Sequence, residues 1–190
     1  MRIIAGQARG RKLRAPDTKG TRPVTDRVRE AVFSSIGSWV EDALVADLYA
    51  GSGSFGLEAL SRGAQSAVFV ERGRKAANTL RANVKTVALG GTVIEATVQD
   101  YLGRANHRFH LVFIDPPWDQ PTTQLEQDLG DLDRLLLPGG EVVVSRRQGD
   151  RVPHPPENWR VATDRRYGDT RILRYEKVDD DDDGTVPGEL

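Results

Sequence analysis

The chain has 190 residues, 38% of them hydrophobic and 29% charged, with a formal net charge of −1 and no cysteine. That length sets one domain with room for a sizeable core, and the lack of thiols excludes disulfides and thiolate metal sites. The near-neutral total hides a division: Asp179 to Asp183 and Glu189 put six acids in the last twelve residues, the remainder carries +5, and residues 1–30 hold nine Arg or Lys against three acids. Positive charge concentrated at the front predicts a polyanionic partner. No apolar run approaches the length of a membrane span and the amino terminus has no signal-peptide core, so a soluble, cytoplasmic protein is expected. His107, His110 and His154 make no metal-binding pattern with nearby carboxylates, so no metal is expected.

Residues 2–6 and 12–15 read as two short strands joined by a turn. This basic hairpin carries Arg2, Arg9, Arg11, Lys12 and Arg14, which suit phosphate contact, a source of affinity without sequence reading. Residues 21–23, including Arg22, end a loop, and Thr25 or Asp26 caps the helix that follows. Val28, Val32, Phe33, Ile36, Trp39 and Val40 fall on one helical face and predict docking on the main body, while Arg27 joins the candidate polyanion contacts. Residues 1–40 are thus a basic arm and helix, 41–178 the main domain, and 179–190 a tail too acidic and too poor in apolar groups to pack.

Leu44, Val45, Ala46 and Leu48 read as a short buried strand, with Asp47 near its carboxyl end. Tyr49, Ala50, Gly51, Ser52 and Gly53 form a turn that Gly56 extends into a helix, the unit with which open α/β folds hold nucleotide-like ligands beyond the strand ends. The apolar run 67–70 then ends at Glu71, followed by Arg72. Glu71 lies about 20 residues past the glycine turn, where a carboxylate accepts from a ribose diol. This arrangement also suits NAD. Asp47 favours S-adenosyl-L-methionine instead, because a carboxylate at that point meets a cationic amine.

Residues 74–87 predict an amphipathic helix with Ala77, Leu80, Val84 and Val87 inward. Residues 92–98 alternate as a third strand closed by Gln99 and Asp100, with Asp100 either accepting from an adenine amino group or capping a turn. Residues 109–115 give the strongest buried strand, continuously apolar from Leu111 to Ile114. A helix is expected over 125–137, ended by Pro138-Gly139-Gly140, then a fifth strand over 141–145. A closing pair of strands follows over 159–162 and 172–175, with residues 167–170 near the hairpin.

The apolar strand runs into Asp115-Pro116-Pro117-Trp118. Each proline fixes φ and lacks an N–H, so the turn is stiff and its carbonyls are free to face a ligand. The Asp115 carboxylate and Pro116 carbonyl make an acceptor-only corner, and Trp118 offers a plate for stacking. Acceptors beside an aromatic plate are what methylation of an exocyclic amine needs, since hydrogen bonds to both N–H groups favour the tetrahedral, nucleophilic nitrogen. The target base must be single-stranded or flipped out. Guanine is mildly favoured, because its N1–H and N2–H donors are adjacent and one carboxylate accepts from both.

Residues 1–13, 21–33 and 47–63, with 115–118 and Tyr167-Gly168, resemble the RsmD family of 16S rRNA guanine-N2 methyltransferases, and the resemblance covers about residues 1–177 in order. It implies a Rossmann-like α/β class I methyltransferase fold, a seven-stranded mostly parallel sheet with helices on both faces, plus the basic extension. It implies S-adenosyl-L-methionine as donor, N2-methylguanine at position 966 of 16S rRNA as product, and an assembled or assembling 30S particle as substrate. Matched by position, Asp47, Gly51, Gly53 and Glu71 bind the cofactor with Asp100 near adenine, and Asp115, Pro116 and Trp118 belong to the catalytic corner. Trp118 stands where tyrosine or phenylalanine is commoner, and Tyr49 where phenylalanine is usual; neither departure is expected to matter much. A monomer is expected. The rivals are a DNA adenine-N6 methyltransferase, an NAD-linked dehydrogenase and a non-catalytic RNA-binding assembly factor.

Overall fold

The computed structural model describes residues 1–16 and 24–178, so Arg22 and the acidic tail lie outside the described residues. Seven strands form one sheet: β1 (Leu44–Leu48), β2 (Ser66–Val70), β3 (Thr92–Ile94), β4 (Phe109–Ile114), β5 (Leu136–Arg147), β6 (Trp159–Tyr167) and β7 (Thr170–Lys177). Their order is β3-β2-β1-β4-β5-β7-β6. Pairing is parallel from β3 through β5, and β7 enters antiparallel between β5 and β6. The helices are α1 (Asp26–Ile36), α2 (Ser54–Ser61), α3 (Arg74–Val87), α4 (Val98–Arg104) and α5 (Thr122–Leu132). Among the described residues no helix is long and apolar enough to cross a membrane.

Strand side chains alternate between the two faces. From β4, Leu111 and Phe113 join Phe33, Phe55, Leu57 and Leu80 under α1, α2 and α3. Val112 and Ile114 join Leu102, Leu125 and Leu129 under α4 and α5. Both faces are covered, which is why the inner strands are apolar throughout. Burial of each such side chain contributes roughly 1.5–3 kcal/mol.

The hairpin holds together through the antiparallel bridge Arg2↔Lys12 and is docked rather than free. Glu58, buried on α2, accepts from the Ile4 and Ala5 amides at 2.7 and 3.0 Å. The Ser61 hydroxyl accepts from the Ala8 amide at 2.9 Å, and the Asn83 side chain both accepts from and donates to the Arg14 backbone. Ile3, Ala8 and Leu13 sit in the same core cluster as α1 and β1, so the boundary expected at residue 40 falls inside one continuous core.

Four local expectations change. Trp39 is 46% exposed rather than docked, because α1 ends at Ile36 and Gly37, at φ 63°, starts a 3₁₀ turn that loses the helical phase. The third strand stops at Ile94; Thr97 caps α4, accepting from the Asp100 amide, so Gln99 and Asp100 lie on a helix rather than at a strand end. The helix expected over 125–137 begins earlier, at Thr122, and gives way to a 3₁₀ turn at Asp133. Pro138, Gly139 and Gly140 fall inside β5, where its register against β4 shifts between Phe109 and Leu111. Gly139 at φ 67° lets the strand absorb the irregularity.

A Cβ on Gly6 would stand 1.7 Å from the Ser61 carbonyl oxygen, whereas one on Gly10 meets nothing within 4 Å. Both glycines have positive φ, 80° and 83°. Gly10→Ala therefore costs about 1 kcal/mol of backbone strain, and Gly6→Ala about 3 kcal/mol, through loss of the docked hairpin. Urea denaturation of both variants measures the difference; equal losses contradict the docking role.

Candidate active site

Strand order reverses between β1 and β4, because the chain leaves β1 towards β2 on one side and returns as β4 on the other. At such a switch point the connecting loops diverge and leave a crevice beyond the strand ends. β1 and β4 end level, with Leu48 opposite Ile114, and the Asp115 amide donates to the Leu48 carbonyl at 3.4 Å. The crevice has a volume of about 580 Å³, within the range of small-molecule sites. Asp47, Tyr49, Ala50, Gly51, Ser52, Glu71, Arg72 and Gln99 line it together with Asp115, Pro116, Pro117 and Trp118. The glycine turn and the Asp-Pro-Pro-Trp corner share one cavity.

The three glycines do different work. A Cβ on Gly51 meets nothing within 4 Å, so this position, at φ 54°, leaves backbone open beside the cleft. A Cβ on Gly53 would stand 2.3 Å from Leu80 and one on Gly56 2.4 Å from Phe69. Gly53 and Gly56 let α2 sit close to the sheet, and Gly53 does not line the cleft.

Asp47 is 1% exposed, and its Oδ2 accepts from the Gly56 amide at 2.9 Å. Burial pushes its pKa up to about 8, reinforced by the negative charges of Asp115 and Glu71 and opposed by the Gly56 bond and more weakly by Arg29. A cationic amine brought beside it would restore the ionised form. Glu71 spans the turn, accepting from the Gly51 amide at 3.0 Å and the Gly73 amide at 2.7 Å. Two oxygens offer about four lone-pair sites, so Glu71 keeps capacity for a further donor. Asp115 lines the cleft, half-buried by surface area yet enclosed by protein. That enclosure raises its pKa to about 6; the Ser145 hydroxyl beside it opposes the shift without completing a hydrogen bond of full geometry. Trp118 is partly exposed, with the Arg147 guanidinium 5.8 Å from its ring centre.

Asp100 is not brought to the cleft. Exposed on α4, it accepts from the Thr97 hydroxyl at 2.7 Å and completes that helix's cap, the turn role left open from sequence. Arg2, Arg9, Lys12, Arg14 and Arg27 are exposed. Arg11 is committed elsewhere, donating to the Thr86 and Val87 carbonyls at the carboxyl end of α3. Arg2, Arg9 and Arg27 line a second cavity of about 350 Å³, shared with Asp26 and Glu30.

Sequence reasoning missed Asp128 and Gln120. Asp128 is fully buried and accepts from the Tyr49 hydroxyl at 2.5 Å, which makes the tyrosine more than a minor departure. Its signal was available: position 128 falls with Leu125, Leu129 and Leu132 on the buried face of α5, where an acid needs partners. Tyr49 also adopts φ 60°, an unusual conformation for a non-glycine residue that clusters at functional sites.

The raised Asp47 pKa fixes a pH dependence. The unfolded aspartate, near pH 4, releases its proton before the folded one does near 8, so between these values the folded state binds more protons. Stability of the ligand-free protein therefore declines as pH rises through this window, by up to about 1.4 kcal/mol per unit. Asp47→Asn keeps an acceptor for Gly56 and removes the titration, flattening the curve. Urea midpoints of both proteins from pH 5 to 8 check this; parallel curves refute it.

Comparison with known proteins agrees with this architecture. The family model described as conserved hypothetical protein 95 matches residues 1–176. The ribosomal RNA small subunit methyltransferase D of Escherichia coli (strain K12) is 34% identical over 178 residues, 93% of this chain and 90% of that protein. The putative rRNA methyltransferase YlbH of Bacillus subtilis (strain 168) is 34% identical over 182 residues, 93% of this chain and 99% of that one. The solved structure of the putative methyltransferase yhhF from Escherichia coli superposes with a TM-score of 0.84 at 34% identity, covering 94% of this chain and 98% of that one. Similar in sequence along nearly its whole length, and carrying the same Rossmann-like α/β fold, the chain belongs to the conserved hypothetical protein 95 family, which is the RsmD family of ribosomal RNA methyltransferases.

Proposed function

We propose that this protein transfers a methyl group from S-adenosyl-L-methionine to the exocyclic N2 of a flipped-out guanine in 16S rRNA, within the small ribosomal subunit or its assembly intermediate. One observation carries the reading: the glycine turn with Asp47 and Glu71 opens into the same cleft as Asp115, Pro116 and Trp118.

The residues fit the donor. Asp47 is a buried carboxylate held near-neutral for want of a cation, Gly51 offers unobstructed backbone, and Glu71 retains acceptor capacity for a ribose hydroxyl. Gln99 lines the far edge at the start of α4, the side assigned to adenine. The bound donor supplies an electrophilic methyl. Asp115, with a pKa of about 6, is ionised by about ten to one at pH 7. Its carboxylate and the Pro116 carbonyl accept from the base's N–H groups, turning the N2 lone pair out of conjugation. Stacking on Trp118 offsets part of the few kcal/mol that extruding a base costs. Alignment and placed acceptors supply the acceleration. Exposed Arg2, Arg9, Lys12, Arg14 and Arg27 supply phosphate contact on the hairpin side.

The test is incubation with labelled donor and small subunits from cells lacking this gene, then mass mapping of the rRNA nucleosides. N2-methylguanine is expected; label in methyladenine, or binding of NADH in place of S-adenosylhomocysteine by calorimetry, overturns the reading. Asp115→Asn is expected to lose at least about 100-fold in transfer while still binding the particle. With the native protein, single-turnover transfer falls about tenfold per pH unit below about 6, as Asp115 takes up its proton; a rate flat down to pH 5 removes Asp115 from the role. Deleting the hairpin would unfold the core packed on Ile3 and Leu13. Arg2→Ser with Arg9→Ser tests it instead, lowering the salt dependence of particle binding by about two units of slope.

A further inference from the structure

We propose that Asp128 is a positioning residue that couples the two halves of the cleft, so that a ligand on the glycine turn sets the geometry of the loop that receives the target base. What the halves hold rests on the function proposed above.

Asp128 is fully buried on α5 and receives donors from three separate segments. Its Oδ2 accepts from the Tyr49 hydroxyl at 2.5 Å and from Gln120 Nε2 at 3.2 Å. Its Oδ1 accepts from Gln99 Nε2 at 2.6 Å and from Gln124 Nε2 at 3.2 Å. The Tyr49 hydroxyl in turn accepts from Gln120 at 2.7 Å and from Gln99 at 3.1 Å. Tyr49 and Gln99 belong to the cofactor half; Gln120 lies two residues beyond Trp118. One carboxylate thus joins the loop after β1, the first turn of α4 and the loop after β4.

Each of these partners is neutral, so what holds the carboxylate is the number and direction of its donors. The bonds of such a network reinforce one another, and losing one donor weakens the rest without abolishing them. Gln120 is held through its main chain as well: its backbone carbonyl accepts from Arg146 Nη2 at 3.1 Å, and Arg146 pairs with Asp150 at 2.9 Å. Arg147, the next residue, lies over Trp118. A shift of Gln99 or Tyr49 therefore reaches Gln120 both through Asp128 and through the Tyr49 hydroxyl that Asp128 holds, and passes on to the Trp118 plate. The left-handed Tyr49 backbone, at φ 60°, ties the same hydroxyl to the glycine turn two residues later. A ligand that moves either residue of the cofactor half changes the geometry offered on the other side, which is coupling between sites.

The experiment reads Trp118 fluorescence, taken as the difference between each protein and its Trp118→Phe counterpart, during titration with S-adenosylhomocysteine. The unaltered protein is expected to show a saturable Trp118 change. Asp128→Asn replaces an acceptor with a donor that faces other donors; it is expected to bind S-adenosylhomocysteine within about threefold by calorimetry and to lose most of the Trp118 change. Gln120→Leu cuts only the arm to the target loop, so it decides the matter if Asp128→Asn fails to melt cooperatively. It too should lose the Trp118 response with affinity retained. A Trp118 response that persists in a folded variant, one that disappears only together with ligand affinity, or a native Trp118 signal indifferent to the ligand overturns the proposal. Failure of the native protein to bind S-adenosylhomocysteine refutes the proposed function instead, and calorimetry shows this before any variant is compared.

Discussion

The site depends on β1 and β4 lying side by side, parallel, and ending level. Leu48 pairs opposite Ile114, so the residues that follow, the Tyr49 turn on one strand and Asp115 on the other, emerge at the same height. Side chains at the ends of adjacent parallel strands are neighbours, about 5 Å apart across the ladder. Asp47 pairs with Phe113, so Asp115 follows two residues along on the same face, near enough for its charge to add to the rise that burial causes in the pKa of Asp47. The constraint is topological. A crossover to either side of β1 is what separates the two loops enough to leave a crevice and keeps them close enough to share it.

The hairpin supports the same arrangement from behind. Glu58 sits on α2, the helix that the glycine turn launches, and spends both oxygens on the Ile4 and Ala5 amides. Arg62, one turn later, donates to Glu58 at 2.7 Å and lies 4.9 Å from the Phe33 ring centre. Phe33 in turn packs against Phe55 and Phe113, with Phe55 and Phe113 stacked at 4.9 Å. The chain's first residues, α1, the glycine turn and β4 are thereby locked into one packed unit. The exposed basic side chains on the hairpin's outer side are thereby held at fixed positions relative to the cleft, the preorganisation that the proposed positioning of a base requires.

Much of this was legible because it is local. The run Leu111 to Ile114 followed by Asp115-Pro116-Pro117-Trp118 announces a buried strand and a stiff turn without reference to anything else, and helix α3 follows from its own periodicity. What sequence withheld is what depends on neighbours distant in the chain. Gly51, Gly53 and Gly56 look alike in a motif, yet only Gly51 leaves open space, because the other two face Leu80 and Phe69. Asp100 left two roles open in the sequence, adenine acceptor or cap, because the cap that Thr97 and Asp100 form depends on a helix that the alternating pattern hid. The Tyr49 hydroxyl acquires its meaning from Asp128, 79 residues away. Trp39 kept its place in the helical pattern but not in space, since Gly37 ended the helix first.

Charge is divided between the hairpin side and the cleft in a way that suits the proposed substrate. The hairpin side presents Arg2, Arg9, Lys12 and Arg14, whereas the cleft is floored by Asp47, Glu71 and Asp115. A phosphate entering the cleft would meet carboxylates at low effective dielectric, where like charges a few ångströms apart repel by several kcal/mol. A base edge carries no net charge and brings N–H donors, so the same carboxylates attract it. A cationic ammonium beside Asp47 would offset the burial that raises its pKa and favour its ionised form. On the function proposed above, the backbone would stay outside, a base edge would reach the rim and the cation would go to the floor.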